Sequence, residues 1–391
     1  MIKPDRRFII LTICLFCFSF LFGGSLPFHL SFAALAMLVL SWLYIRALWK
    51  SFDVEITCDE TVLSAGGTTD VLTKVKFGLP LPVPYVEIRG DAFTASGSGY
   101  SSYLRDTTWD ENIWIKNELR FSKRGLHKLD NIFVRVSDVF RIICFEKTID
   151  TDITIKVFPK IYNIAGLPQG GIDIYRETAD LNSRSEDQNT IRDVRKYREG
   201  DSLKKVHWKL SAKQDELYVK NLDTISGEEI VLFVDMNCRN YSLDDSGAVE
   251  ESVVDFSVSI INQIIRKNLS IKVFLNTSKG SYFEVDDKSD FNRFMDFLVS
   301  QVSDGSLELY QYIYENSYRL HRMNRIAVVA AALDESLSEA LLHMGASGYS
   351  ISVFYCMDNP VNREYSSSLT NAGIECSHIK DRILQWGMLI Q

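Results

Sequence analysis

The chain has 391 residues, enough for two or three domains each with its own core. Hydrophobic residues make up 46% and charged residues 24%, an ordinary globular balance that argues against long disorder. The net charge of -8 argues against general nucleic-acid binding, which needs a basic face. Seven cysteines are scattered along the chain. Cys14 and Cys17 form a Cys-x-x-Cys pair inside an apolar run, where they read as small packing residues rather than a redox or zinc pair. No disulfide framework is expected, which suits a reducing compartment.

Residues 1–50 predict a pair of transmembrane helices. Nineteen residues from Phe8 to Leu26 carry no charge, and sixteen more run from Leu30 up to Arg46. About 20 apolar residues in a helix cross the hydrocarbon core, a length the second run reaches with Phe28 and Ala47-Leu48-Trp49. Gly23-Gly24-Ser25-Leu26-Pro27-Phe28-His29 supplies the turn of a tight hairpin. A cleaved signal peptide is the rival, opposed by the length of the first run and the second span that follows at once. Lys3, Arg6 and Arg7 precede the first span and Arg46 and Lys50 follow the second, while the turn has neither Lys nor Arg. Positive flanks stay inside, so both termini and the bulk of the chain are expected in the cytoplasm.

Residues 51–161 predict a β-sandwich-like middle. Alternating runs occur at Val54–Thr57, Val71–Phe77, Tyr85–Arg89, Asn112–Phe121, Ile132–Val136 and Ile153–Phe158. Gly66-Gly67, the 79–84 segment Leu-Pro-Leu-Pro-Val-Pro, Gly97-Ser98-Gly99 and Lys123-Arg124-Gly125 break them. No catalytic constellation is visible there, and a spacer or binding platform is expected.

Residues 162–228 form a connector with a basic-aromatic segment. Between 184 and 222, ten residues are Lys or Arg and seven are Asp or Glu. Arg195, Tyr197, Gly200, Asp201, His207 and Trp208 combine a turn, two polar-tipped aromatics and a histidine. Asp201 or Ser202 reads as the N-cap of a helix with Leu203, Val206 and Leu210 as its stripe. Two readings stay open. Arginines beside a helix start suit an anion or partner-docking site, and Trp208 with paired charges suits a buried cross-domain clasp. His207 has no second His, Cys or Glu cluster at ligand spacing.

Residues 229–391 predict a doubly wound α/β domain. The run Ile230–Asp235 ends an apolar strand in an acid, and Ala248–Asn268 has helical spacing. Strand Ile271–Leu275, helix Asp290–Val302, strand Arg325–Ala331, helix Glu335–Met344 and strand Ile351–Cys356 follow. The functional crevice of such a sheet lies at the carboxyl ends of its strands, where Asp235, Asn237 and Arg239 fall.

The run from Arg195 through Tyr197, Gly200, Asp201, His207 and Trp208 to Ala212 resembles the bacterial family numbered fifty-eight among domains of unknown function. Lys123-Arg124-Gly125-Leu126-His127, then Ser137-Asp138-Val139-Phe140, then Val157-Phe158-Pro159 resemble it in the same order. Members usually carry Asp-Pro-Phe-Gly where this chain has Asp138-Val139-Phe140-Arg141, so that turn is expected to differ. The resemblance implies a membrane anchor, a von Willebrand A-like domain, and a MoxR-type AAA ATPase as partner. It implies no activity.

A von Willebrand A metal site uses Asp-x-Ser-x-Ser after the first strand, with Thr and Asp on later loops. Here Asp235-Met236-Asn237-Cys238-Arg239 puts a cation at a ligand position, and Ala331-Ala332-Leu333 stands where an acidic ligand belongs. No metal or cofactor is expected. The expected function is a membrane-anchored, non-enzymatic adaptor. The alternative is a membrane-tethered hydrolase acting on an envelope component, with His207 beside Asp201 or Asp235.

Overall fold

The computed structural model describes residues 2–79, 81, 83, 85–90, 102–104, 112–164, 191–196, 208–214, 216–222, 229–242, 244–321 and 324–383. The chain divides into two compact units, Met1–Pro159 with Leu298–Ser300, and Lys160–Phe297 with Gln301–Gln391.

The first unit begins with a strand that hydropathy did not reveal, β1 (Ile2–Pro4). Asp5 caps α1 (Arg6–Phe22) by accepting from the Arg7 amide at 2.9 Å. Only Gly23 and Gly24 separate α1 from α2 (Ser25–Lys50), and their φ values of 64° and 97° suit residues without a Cβ. The expected seven-residue turn is therefore too long. Pro27 sits in the first turn of α2, where its missing N–H costs no helical hydrogen bond, so the second helix starts at Ser25. The helices run antiparallel, with Phe16 against Phe32 at 5.9 Å and Phe20 against Phe28 at 6.0 Å. Among the described residues α2 is the helix long and apolar enough to cross a membrane. α1, with 17 residues, is shorter.

Past Leu40, one side of α2 turns inward while Trp42, Leu43 and Trp49 stay exposed. Ser41, Ile45 and Leu48 are buried. Ile45 and Leu48 lie in a hydrophobic core shared by strands that follow: β2 (Phe52–Cys58), β3 (Val62–Ser64), β4 (Thr68–Phe77) and β5 (Tyr85–Arg89). β6 (Ser102–Leu104) comes next. β7 (Asn112–Arg120), β8 (Gly125–Lys128), β9 (Ile132–Ser137), β10 (Ile143–Ile149) and β11 (Thr154–Phe158) complete the unit. They form three sheets in the orders β1-β10-β9-β5-β6, β3-β11-β8 and β2-β4-β7. β4 shows the strand period directly, with Thr69, Val71, Thr73, Val75 and Phe77 inward. All six strands read from alternation are present, and β1, β3, β6, β8 and β10 are additional. Gly125, expected as a breaker, begins β8.

The β9–β10 turn keeps a tight form without glycine. The Arg141 amide donates to the Asp138 carbonyl at 3.0 Å, and Arg141 itself adopts φ 57°, the left-handed conformation glycine favours. Its guanidinium lies 4.1 Å from the centre of the Tyr85 ring. This is the turn expected to differ from Asp-Pro-Phe-Gly.

In the second unit a small antiparallel pair, β12 (Ile191–Lys196) and β13 (Tyr218–Leu222), brackets α3 (Trp208–Gln214). The Ser211 hydroxyl accepts from the Tyr218 amide at 2.9 Å and closes α3 onto β13. Then come β14 (Ile230–Val234), α4 (Ala248–Ile265), β15 (Ile271–Leu275), β16 (Ser281–Val285), α5 (Lys288–Ser300) and α6 (Leu309–Glu315). β17 (Arg325–Ala330), α7 (Glu335–Ala346), β18 (Ser350–Tyr355), α8 (Pro360–Asn371), β19 (Glu375–His378) and α9 (Ile379–Arg382) end it. The six-stranded sheet has the order β16-β15-β14-β17-β18-β19 and is parallel except at β16. β14 is buried at every position, as a central parallel strand with both faces covered must be. After β14 the chain moves first to β15 and later to β17 on the opposite side. The strand order therefore reverses at the ends of β14 and β17.

Candidate functional site

Asp235 follows β14 at this reversal point and is 1% exposed. A buried carboxylate is costly unless its lone pairs are met, and here N–H groups meet them. Oδ1 accepts from the Asn237 amide at 3.1 Å and from Asn276 Nδ2 at 3.4 Å. Oδ2 accepts from Asn240 Nδ2 at 2.8 Å and from the Ala331 amide, just past β17, at 3.4 Å. Burial pushes the Asp235 carboxyl above the usual carboxylate range, against the pull of these four donors, which favour the anion. The Tyr241 hydroxyl donates to the Asp235 carbonyl at 2.7 Å.

Asn237 is fully buried, and its side chain is committed at both ends. Its Oδ1 accepts from the Arg239 amide at 3.0 Å, starting the short 3-10 turn Cys238–Tyr241, and its Nδ2 donates to Glu308 Oε2 at 3.0 Å. Arg239 reaches the other Glu308 oxygen at 3.4 Å with an exposed guanidinium. Asn276, just past β15, accepts from the Met236 amide and donates to the Leu307 carbonyl at 3.1 Å.

The segment before α6 lies across this network. Gly305 pairs with Asn237 in a one-residue parallel bridge: its amide donates to the Met236 carbonyl and its carbonyl accepts from the Cys238 amide, both at 2.9 Å. Glycine is required there, because a Cβ would lie 1.8 Å from the Asn276 carbonyl oxygen. The crevice where doubly wound sheets hold ligands is thus filled by the chain's own backbone and amides.

This donor set does not fit a divalent cation. Hard cations need several oxygens at one point, whereas Asp235 faces four N–H groups, Asn237 turns its oxygen to a backbone amide, and Arg239 brings a positive charge. Among the described residues no group of three or more His, Cys, Asp or Glu could hold a metal ion.

Of the basic-aromatic residues, Arg195 lies on β12, paired with Val219, and Trp208 is the first residue of α3. Tyr197, Gly200, Asp201 and His207 lie outside the described residues, as does the helix start expected at Asp201 or Ser202. The sequence alone grouped Asp235, Asn237 and Arg239 at one strand end but did not name Asn276, Gly305 and Glu308, which the structure sets against them. Asn276 carried a signal, since it follows the apolar run of β15 beside the reversal point. Glu308 carried none.

Residues 193–282 match the family described as protein of unknown function DUF58. That stretch runs from β12 through α3, β14, α4 and β15 into β16 and contains Asp235 and Asn276. The uncharacterized protein YeaD of Bacillus subtilis (strain 168) is 25% identical over 268 residues, covering 66% of this chain. The match spans 64% of that relative's length. Among solved structures, proximal thread matrix protein 1 from the mussel byssus matches 39% of this chain and 44% of its own, at 11% identity and a TM-score of 0.29. Manganese-loaded TRAP protein of Plasmodium vivax matches 40% and 70%, at 8% identity and a TM-score of 0.26. At such scores no shared fold follows.

Proposed function

We propose that this chain is a two-pass membrane protein with its soluble mass in the cytoplasm, working as a non-enzymatic adaptor for a MoxR-type AAA ATPase. Strand pairing supports the anchor. β1 precedes both apolar helices and β10 follows them, yet Pro4 pairs with Ile143 in one ladder. If α1 and α2 enter a bilayer, an even number of crossings keeps these partners on one side. Lys3, Arg6 and Arg7 on one flank and Arg46 and Lys50 on the other favour the cytoplasmic side.

One observation carries the adaptor reading: the strand-end carboxylate of Asp235 is fully engaged by internal N–H donors. A general base needs a free lone pair within reach of substrate, and a metal ligand needs one aimed at the ion. The α/β unit then reads as a von Willebrand A-like domain whose cation site has become a structural knot, leaving recognition to its outer surface. No observation favours the hydrolase alternative, since the acid at the sheet reversal is committed to the fold. The ATPase partner rests on the family resemblance together with the match at residues 193–282.

Two measurements test the proposal. A reporter active only outside the cytoplasm, fused after Gln391, should be silent, and activity there would reverse the orientation. The detergent-solubilised full chain should retain a purified MoxR-type ATPase of the same organism in the presence of nucleotide. Failure to retain it, with the chain folded, would remove the partner assignment.

A further inference from the structure

The end of the β1-β10-β9-β5 sheet from which the two helices emerge carries exposed apolar side chains. Tyr85 and Cys144 both pair with Ser137, and Pro4 pairs with Ile143, so the start of β5, the end of β9, the start of β10 and the end of β1 lie at one edge. α1 leaves from that edge, with the Asp5 amide bonded to the Ile142 carbonyl at 2.7 Å. α2 returns to it, with the Ser41 hydroxyl donating to Asp138 Oδ2 at 2.9 Å. The β9–β10 turn is held rigidly between them, because Asp138 also accepts from the amides of Phe140 at 3.3 Å and Ile143 at 2.9 Å. At its tip Val139 is 53% and Phe140 60% exposed.

We propose that this turn dips into the bilayer, with Val139 and Phe140 at the boundary of headgroups and acyl chains and Arg141 among anionic headgroups. The proposal rests on the two-pass reading above. Length supports it. Beyond the sheet edge α1 offers Arg6–Phe22 and α2 offers Ser25–Leu40, about 25 and 24 Å at about 1.5 Å per residue. A hydrocarbon core is about 30 Å thick. Helices so short leave a mismatch that closes when the sheet edge itself sits in the interface. Continuity supports it as well, since Val39, Leu40 and Leu43 are exposed on α2 around the Ser41 contact. Charge agrees: Arg6, Arg7, Arg46 and Arg141 are all exposed around this edge. Apolar tips backed by cations are the composition of an interfacial anchor.

The test places a photo-reactive benzoylphenylalanine, one position at a time, at Phe140, Leu40 and Thr148 in the full chain. Thr148 is exposed at the far end of β10. Each protein is reconstituted in vesicles of phosphatidylethanolamine and phosphatidylglycerol, irradiated, and its adducts are read by mass spectrometry. Lipid adducts at 140 and 40 with none at 148 are expected. Adducts at 40 but not at 140 overturn the dipping turn and leave the anchor standing. No adduct at 40 overturns the anchor and this inference with it. At 140, adducts to protein alone, or lipid adducts no stronger than at 148, also overturn it.

Discussion

Gly305→Ala should unseat the segment that fills the strand-end crevice. The new methyl would meet the Asn276 carbonyl oxygen at 1.8 Å and the Met236 carbonyl oxygen at 2.8 Å. Ordinary carbon contacts lie near 3.5 Å, so one backbone must retreat by more than about 1 Å. Both obstacles are main chain at the end of the central sheet and have no rotamer to change. The retreat breaks the two 2.9 Å hydrogen bonds of the Gly305 bridge and pulls Glu308 from Asn237. A buried donor left unmet costs about 1–3 kcal/mol, and overpacking strain costs about 1–3 kcal/mol. With partial relaxation the loss should reach about 3–5 kcal/mol. At about 2–4 °C per kcal/mol for a unit of this size, the α/β transition should fall by roughly 6–20 °C. Scanning calorimetry of the detergent-solubilised full chain measures it. A transition unmoved by the substitution would refute the crossing segment as a structural part of the site.

Three further outcomes follow from named contacts. Millimolar Mg²⁺ or Mn²⁺ should leave the same transition in place. Binding to a real site would raise stability by about 2.7 kcal/mol at a hundredfold excess over Kd, so a saturable rise lost in Asp235→Ala would contradict the closed network. The Asp235 carboxyl holds its proton more tightly folded than unfolded, so its ionisation costs stability. That cost should grow as pH rises from the unfolded carboxyl value of about 3.9 and level off above the folded value. Wild type should therefore lose stability relative to Asp235→Asn as pH rises across that range, and parallel melting curves would deny the shift. Asp138→Ala strips acceptors from Ser41, Phe140 and Ile143 and should cost the first unit about 2–4 kcal/mol, against about 1 kcal/mol for Ser41→Ala. Equal losses in denaturant melts would mean the Ser41 contact alone matters.

The parts of this fold that could be read from the sequence are those where one physical signal dominates. β14 is a run of buried aliphatic and aromatic residues, α4 repeats its apolar positions every three or four, and β4 alternates cleanly. What stayed hidden lacks such a signal. β10 begins with three buried residues in a row, which breaks the strand period. β8 opens on glycine, ordinarily a turn residue, and β19 is made of Glu375, Cys376, Ser377 and His378. α8 buries only Asn362 and Leu369, so its apolar stripe is too thin to see. At the site, the acid ending β14 was visible because charge terminates an apolar run. Its partners come from loops that only the folded sheet brings together.

The pairing of β1 with β10 also sets an order of assembly. The ribosome makes Ile2–Pro4 well before Ile143–Ile149, which follows only after both apolar helices and the eight strands β2–β9 have emerged. At about 5–20 residues per second, the first strand waits roughly 7–30 s for its partner. Ile2–Pro4 therefore stays without its ladder partner while α1, α2 and β2–β9 are made, and the sheet closes on that side only when β10 appears. A bulky fusion placed ahead of Ile2 would act on this late closure of the sheet, whereas one placed after the α/β unit would not.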